Sequence, residues 1–277
     1  MGFGTCIMKY ILITGSTDGL GLEAAKVLAA EGNAVLLHGR SKSKLDRAKR
    51  AVLGAVPPGV AGPVETYVAD LSKLADVEKL AENIARRHDR LDVLVNNAGV
   101  YKTPHPTAMD GGLDVRFVVN ALAPYLLTKR LLPLINPASG RVVNLSSAAQ
   151  SSVDPAAFLG PVRLDDFEAY AQSKLAITMW TNHLASELGS EGPVVMSLNP
   201  ASMLGTKMVK EGFGAAGKDI MIGANIIARA ATADEFSDAS GKYYDNDYRM
   251  FRNPHRDALN EHKCKAVVDA MEKALAS

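Results

Sequence analysis

Short aliphatic runs in this chain alternate with longer stretches in which apolar residues return every three to four positions. The first run covers 10–14 (Tyr10-Ile11-Leu12-Ile13-Thr14) and stops at glycines. A helix is predicted over about 20–30, carrying Leu22, Ala25, Val27 and Leu28 and closed by Gly32. Further strands are predicted at 34–37, 65–69, 91–95, 141–145, 194–198 and 241–244. A helix after Asp70-Leu71-Ser72 runs to about 88, with others expected at about 112–132, 170–188 and 257–275. Continuous aliphatic strands separated by helices indicate a parallel sheet buried on both faces. The expectation is a doubly wound α/β fold of seven parallel strands, in a single domain over 1–277.

Three segments fall outside the alternation. The stretch 148–169 is a long insertion holding Phe158, Leu159 and Phe167, and 202–218 reads as a flap with Gly205, Gly212, Gly214 and Gly217. A tail covers about 245–277. Pro57-Pro58-Gly59 and Gly62-Pro63 mark a surface loop, not a linker, because the alternation resumes beyond them.

Lys+Arg total 31 against Asp+Glu 30, so bulk charge supplies no attraction for nucleic acid. No apolar run is long enough to span a bilayer, and residues 1–6 are too short for a cleavable leader. Gly2 suggests myristoylation, but Cys6 stands where that motif requires Ser or Thr. Cys6 and Cys264 are the two cysteines, and neither they nor the six histidines show a metal-binding spacing. The expected setting is reducing and cytoplasmic, with no metal.

The chemistry begins at Thr14-Gly15-Ser16-Thr17-Asp18-Gly19-Leu20-Gly21, between the first strand and its helix. Gly15 permits the turn, Gly19 lets the backbone approach a diphosphate, and Gly21 lets helix and strand pack closely. The free N–H groups at the helix start favour an anion. Farther on, Tyr170 and Lys174 are spaced to share one helix face. A phenol of ordinary pKa near ~10 is a poor acid–base at neutral pH, and a neighbouring ammonium favours its phenolate. Ser146-Ser147 ends the fifth strand, where a hydroxyl can serve a substrate oxygen as charge develops. Each feature has a plain structural reading as turn former, cap or surface pair; their joint occurrence is what points to a site.

In this order the motifs resemble the short-chain dehydrogenase/reductase family, in its single-domain form, over nearly the whole chain. They are the GxxxGxG turn, Asp70, Asn96-Asn97-Ala98-Gly99, Asn120, Ser147 and Tyr170-x-x-x-Lys174. The long insertion is similar to the retinol-dehydrogenase-like and protochlorophyllide-reductase-like branch. The resemblance implies a Rossmann-like fold and a hydride exchange between a nicotinamide and a carbonyl or alcohol. It assigns Asn120, Ser147, Tyr170 and Lys174 to catalysis, with Ser146 the lesser candidate for the serine. It assigns Gly15, Thr17, Asp18, Gly19, Leu20, Gly21, Arg40, Asp70, Leu71, Asn97, Ala98, Gly99, Tyr170, Lys174, Pro200, Ser202 and Thr206 to the cofactor. Ser147, Phe158, Leu159 and Tyr170 are the expected substrate contacts, with Phe167 beside them; the aromatics equally suit a loop pinned to the domain. A homodimer through the helices after strands four and five is an allowed partner state, as is a monomer that buries the same helix.

Strand two ends Leu37-His38-Gly39-Arg40, with no acid from His38 through Lys44. A carboxylate at that place selects NAD by taking the ribose diol, whereas Arg40 suits the extra phosphate of NADP. NADP(H) is therefore favoured over NAD(H), against the single contrary charge of Asp18. Two departures occur after strand six: Ala201 replaces the family's Gly, and Thr206 is displaced by one residue, leaving Ser202 as an alternative. Alanine resists positive φ, so a locally different chain is expected. The expected substrate is an apolar, fairly bulky carbonyl or alcohol. The rival readings are an idle cofactor-binding sensor or scaffold and a nucleotide-sugar epimerase; the latter usually needs a larger C-terminal domain than the chain offers.

Overall fold

The computed structural model describes residues 8–60, 62–102, 112–160, 162 and 164–276, so Gly2 and Cys6 lie outside the described residues, as do Pro161 and Arg163 of the insertion. Its first half runs β1 (Tyr10–Ile13), α1 (Gly19–Ala30), β2 (Ala34–Gly39), α2 (Lys42–Leu53), β3 (Val64–Val68), α3 (Leu74–Ala85) and β4 (Val93–Asn96). The second half holds α4 (Val115–Phe117), a π-helical turn Val118–Leu122, α5 (Ala123–Leu131), β5 (Arg141–Leu145) and α6 (Asp166–Leu188). It closes with β6 (Val194–Asn199), α7 (Lys207–Phe213), α8 (Met221–Thr232), β7 (Tyr243–Asp245), β8 (Met250–Arg252) and α9 (Glu261–Ala276).

Successive strand residues enter two different cores, as a pleat of period two requires. Leu12, Leu36, Leu94, Val142 and Val195 face α3, α5, α6 and α9. Ile11, Val35, Val93, Val143 and Met196 face α1, α2 and α8. The sheet order is β3-β2-β1-β4-β5-β6-β7-β8. The order reverses between β1 and β4, and in such sheets ligands bind beyond the carboxyl ends of the strands at that reversal.

The structure amends the expected architecture in four places. Seven strands are parallel as expected, but β8 joins antiparallel to β7, pairing Tyr244 with Phe251. A three-residue strand is too short to announce itself by alternation. The helix expected at 112–132 begins at Val115 and is broken by the π turn, whose Ala123 N–H reaches back to Val118 O. One extra residue in a turn leaves apolar periodicity almost unchanged. The helix expected at 170–188 starts one turn early, capped by Asp165, which accepts from Glu168 N–H. Finally, α2 and α8 were not anticipated; α2 starts at Ser41, which accepts from Lys44 N–H, and buries Leu45, Ala48 and Val52.

Two contacts tie the second half together. The terminal helix α9 packs along α6, and its Glu272 accepts from Tyr125 Oη and Lys129 Nζ of α5, both at 2.5 Å. The apolar residues of α6 that suggested a dimer, Trp180 and Leu184 among them, are thereby buried within the same chain. Arg116, only 2% exposed, pairs with Asp114 at 2.5 Å and with Asp166, joining the starts of α4 and α6.

Arg116→Ala removes a buried side chain and both ion pairs, but the carboxylates left behind reach solvent, so a loss of about 1–2 kcal/mol is expected. Trp180, the chain's one tryptophan, is wholly buried, and its emission should follow denaturant unfolding. An unchanged midpoint would mean that the two ion pairs contribute nothing.

Candidate active site

The turn after β1 and the loop after β4 meet at the strand-order reversal through one threonine. Thr14 N–H donates to Val95 O at 3.0 Å, and Thr14 Oγ1 accepts from the N–H groups of Asn97 and Ala98, each at 3.0 Å. Asn97 Nδ2 donates to Thr14 O at 2.8 Å and Gly15 O at 3.2 Å. A Cβ on Gly15, at φ 64°, would stand 2.9 Å from Ala98 Cα, and one on Gly21 would stand 2.5 Å from Asn97 Nδ2. Gly19, at φ 53°, faces open space. Asp18 caps α1, accepting from Gly19 N–H at 2.7 Å. Beneath the first and third glycines the backbone is closely packed; before the second lies room for a ligand.

His38 secures this turn from below. Its Nδ1 accepts from Gly15 N–H at 3.1 Å, so Nε2 carries the hydrogen and donates to Ala69 O at 3.2 Å. Burial pushes its pKa down to about 4, keeping the ring neutral. Beside it, a Cβ at Gly39 would fall 2.4 Å from Thr17 Cγ2, which leaves little space for the acid of an NAD site. Arg40 is exposed and, among the described residues, has no carboxylate partner. Asp70 turns one oxygen back to Ser72, accepting from its N–H and hydroxyl.

At the inner end, Ser146 and Ser147 separate cleanly. The Ser146 hydroxyl is buried and bonded to Lys174 O at 3.0 Å and Thr178 Oγ1 at 2.8 Å. Ser147 Oγ instead accepts from Ala149 N–H at 3.1 Å and lines the same cleft as the Tyr170 phenol. Lys174 Nζ donates to Leu145 O at 2.7 Å and lies 5.8 Å from the Tyr170 ring centre. Asn120 lies behind them in the π turn, accepting from Val100 N–H at 2.8 Å and donating to Val100 O and Ser173 Oγ at 2.9 Å. A Cβ at Gly99 would touch both Asn120 Oδ1 and Lys174 Nζ at 3.4 and 3.5 Å.

The electrostatics correct one expectation. Lys174 does not make the phenol acidic here: burial pushes Tyr170 above the usual phenol range, with the nearby Ser147 hydroxyl pulling the other way. Lys174 itself is pulled down to about 8 by burial. Desolvation of two inward-facing groups outweighs an attraction acting across the face of a ring.

Apart from Asn120, Phe158 and Leu159, every expected site residue lines one cleft of about 600 Å³. Phe158 is buried against Phe117 at 5.0 Å between ring centres, and Leu159 is exposed outside the cleft; both are corrected from substrate contacts to parts of the loop. Phe167, one turn before Tyr170, does line it. A depression of similar size beside the 56–63 loop carries no ionisable side chain, so the chemistry belongs to the first.

The sequence profile of the short chain dehydrogenase family matches residues 9–215. The chain belongs to that family. Human retinol dehydrogenase 13 is 30% identical, over 86% of this chain and 76% of its own. A solved protein from Mycobacterium paratuberculosis, described as uncharacterized, shares the fold with a TM-score of 0.77 at 24% identity, covering 100% of this chain and 98% of its own. A short-chain dehydrogenase from Shigella flexneri, solved with NADP, has a TM-score of 0.67 at 25% identity, covering 86% and 97%.

This short-chain dehydrogenase is a nicotinamide-dependent oxidoreductase, and its cradle suits a dinucleotide: glycine backbone without Cβ at one end, hydroxyl, phenol and ammonium at the other. No helix among the described residues is long and apolar enough to cross a membrane. Three site residues escaped the sequence reading. Tyr101 meets Tyr170 edge-on at 5.2 Å, with Gly212 of α7 so close that a Cβ there would lie 2.7 Å from its ring. His38 borders the cleft and Asp247 acts from behind it; none of the three belongs to a spaced motif. After β6 the expected divergence does not occur as foreseen, since Ala201 itself adopts φ 118°. Thr206 caps α7 through Val209 N–H at 3.3 Å, and the Ser202 hydroxyl is held by Asp247 at 2.5 Å.

Gly19 and Gly21 should fail differently when changed to alanine. At Gly21 the new methyl meets backbone and Asn97, and a loss of stability of about 1–3 kcal/mol is expected. At Gly19 only the positive φ resists, costing roughly 1 kcal/mol, while the methyl enters the diphosphate space. Thermal melts and cofactor titrations should therefore separate the two; a Gly19→Ala protein that binds cofactor normally would remove that glycine from the site.

Proposed function

We propose that the chain interconverts a carbonyl and an alcohol on an apolar small molecule with NADP(H), inside one domain over 1–277. The carrying observation is that Ser147, Tyr170 and Lys174 line one cleft, whose other end is the glycine turn. When bound, the nicotinamide supplies or accepts the hydride. Gly15, Thr17, Gly19, Leu20 and Gly21 would hold the diphosphate, Asp70 and Leu71 the adenine end, and Asn97, Ala98, Gly99 and Pro200 the walls.

In the reducing direction, Tyr170 gives its proton to the substrate oxygen as the carbonyl carbon takes the hydride. A phenol held above its ordinary pKa is protonated at neutral pH, which is the form that reduction needs. Ser147 orients that phenol and donates to the same oxygen. Lys174, charged below about pH 8, stabilises the phenolate left behind. Asn120 keeps the Gly99–Val100 wall against Lys174. Tyr101, Val119, Phe167 and Met208 give the substrate side its apolar character.

NADP is preferred because Arg40 and Lys44 line the cleft where Gly39 has no room for an acid. The Shigella relative's NADP complex supports the same choice. The covering of α6 by α9 favours a monomer over the homodimer. The proposed setting is the cytoplasm, to which the free, buried Cys264 is suited.

Oxidation of NADPH by purified protein against aromatic ketones, retinal-like aldehydes, quinones and steroids tests the reaction. Tyr170→Phe should keep cofactor affinity and lose ~100-fold or more in turnover. Wild-type reduction should decline as pH rises through about 8, where Lys174 gives up its proton. Full turnover in the Phe variant, or a rate that is level to pH 9.5 or beyond (~1.5 units above that value), would remove these roles. Separately, Arg40→Ala should weaken NADPH at least ~10-fold more than NADH, a difference of about 1.4 kcal/mol. Equal losses would refute its contact with the extra phosphate.

A further inference from the structure

The chain leaves β6 through Asn199-Pro200-Ala201-Ser202-Met203, and two of these residues stand in left-handed backbone without being glycine. Ala201 has φ 118° and Met203 has φ 58°. Such conformations persist only where their surroundings over-determine them. Here the surroundings come from the turn after β7. Asp247 Oδ1 accepts from Ser202 N–H at 2.9 Å; its Oδ2 accepts from the Ser202 hydroxyl at 2.5 Å and from Asn199 Nδ2 at 3.0 Å. Lys218 Nζ adds its charge at 3.7 Å. Next to it, Asn246 Nδ2 donates to Pro200 O at 2.9 Å, and Asn199 Oδ1 accepts from Ala201 N–H at 3.3 Å.

The same residues close the neck of the flap. Lys218 N–H donates to Met203 O at 2.6 Å, and Gly205 N–H donates to Lys218 O at 2.7 Å. Burial opposes the charge on Asp247, yet the bonds from Ser202 and Asn199 and the Lys218 charge outweigh it and hold its pKa below the usual carboxylate range. Asp247 does not line the cleft, whereas all five residues of 199–203 do.

We propose that Asp247 is a positioning residue: it holds 201–203 in the strained backbone that shapes the inner wall of the cleft, so that cofactor affinity depends on a carboxylate in the C-terminal tail. The proposal rests on reading the cleft as a nicotinamide site. A carboxylate that accepts three donors from one short segment fixes both its direction and its peptide planes, and neutralisation by Lys218 keeps that charge from repelling a cofactor phosphate. Glycine at 201 would take the same backbone unaided. Alanine there makes the clamp necessary.

The test is a double-mutant cycle on the full chain, reading NADPH dissociation constants by calorimetry and melting temperature in parallel. Asp247→Ala should weaken NADPH ~10-fold or more, and Ala201→Gly alone should bind as wild type or more tightly. In the Ala201→Gly background, Asp247→Ala should cost less than ~3-fold, because the strain at 201 is gone. Equal losses in both backgrounds, or no loss in Asp247→Ala, would overturn the proposal while leaving the cofactor reading intact. If Asp247→Ala does not fold, Ser202→Ala removes one of the bonds and should show a smaller loss that Ala201→Gly abolishes; a loss that Ala201→Gly leaves unchanged overturns the proposal equally. A wild-type protein that binds neither NADPH nor NADH would overturn the cofactor reading and the clamp together.

Discussion

The close approach of the β1 turn to the β4 loop sets the floor of the cleft, and most of the site is arranged around it. Thr14 receives two N–H groups of that loop on one hydroxyl, and Gly15 passes Ala98 at a distance no side chain would allow. With this contact made, the start of α1 points its N–H groups into the crevice and Asn97-Ala98-Gly99 forms the opposite wall. His38 extends the same constraint sideways, linking the turn to the end of β3 through a neutral ring. The shape of this glycine turn is thus a property of four strand ends, those of β1, β2, β3 and β4, and not of the glycines alone.

Behind the cleft the protein buries a set of polar side chains and satisfies most of them by pairing. Asn96 Nδ2 joins Asn144 at 2.8 Å and Thr128 at 3.0 Å, and Asn144 passes the connection to Thr181 at 2.8 Å. Asn120, at 0% exposure, sits where the helix widens into a π turn, a distortion that leaves its side chain free to grip Val100. Placing Lys174 and Tyr170 beside this network shifts both toward their neutral forms. That is the cost of desolvation, and it leaves Tyr170 in the protonated form that its proposed role needs.

The tail contributes more than a seal on the sheet. β8 covers the free edge of β7, where unpaired N–H and C=O groups would otherwise stand exposed. The turn between them carries Asn246 and Asp247 to the β6 exit, and α9 lays Glu272 on the helix that follows the π turn. Residues late in the chain therefore brace elements that the early part of the chain places.

Local pattern was enough to specify the alternation of strands and helices, the glycine turn, and the placing of Tyr170 one helical turn from Lys174, because each depends on spacing along a few neighbouring residues. The preference for Ser147 over Ser146 came from the family resemblance, not from local pattern. What it could not carry were effects that depend on what lies across the fold. Phe158 and Phe167 look alike along the sequence, yet contact with Phe117 sends the first into the core while the second opens α6. A three-residue β8 exists only because β7 offers it an edge. The direction of the Tyr170 pKa depends on desolvation by distant elements, and Ala201 keeps a glycine's backbone because a carboxylate some forty-six residues later holds it there. Spacing is a one-dimensional property that a chain shows directly; burial, strain and edge pairing arise only when segments remote in sequence are brought together.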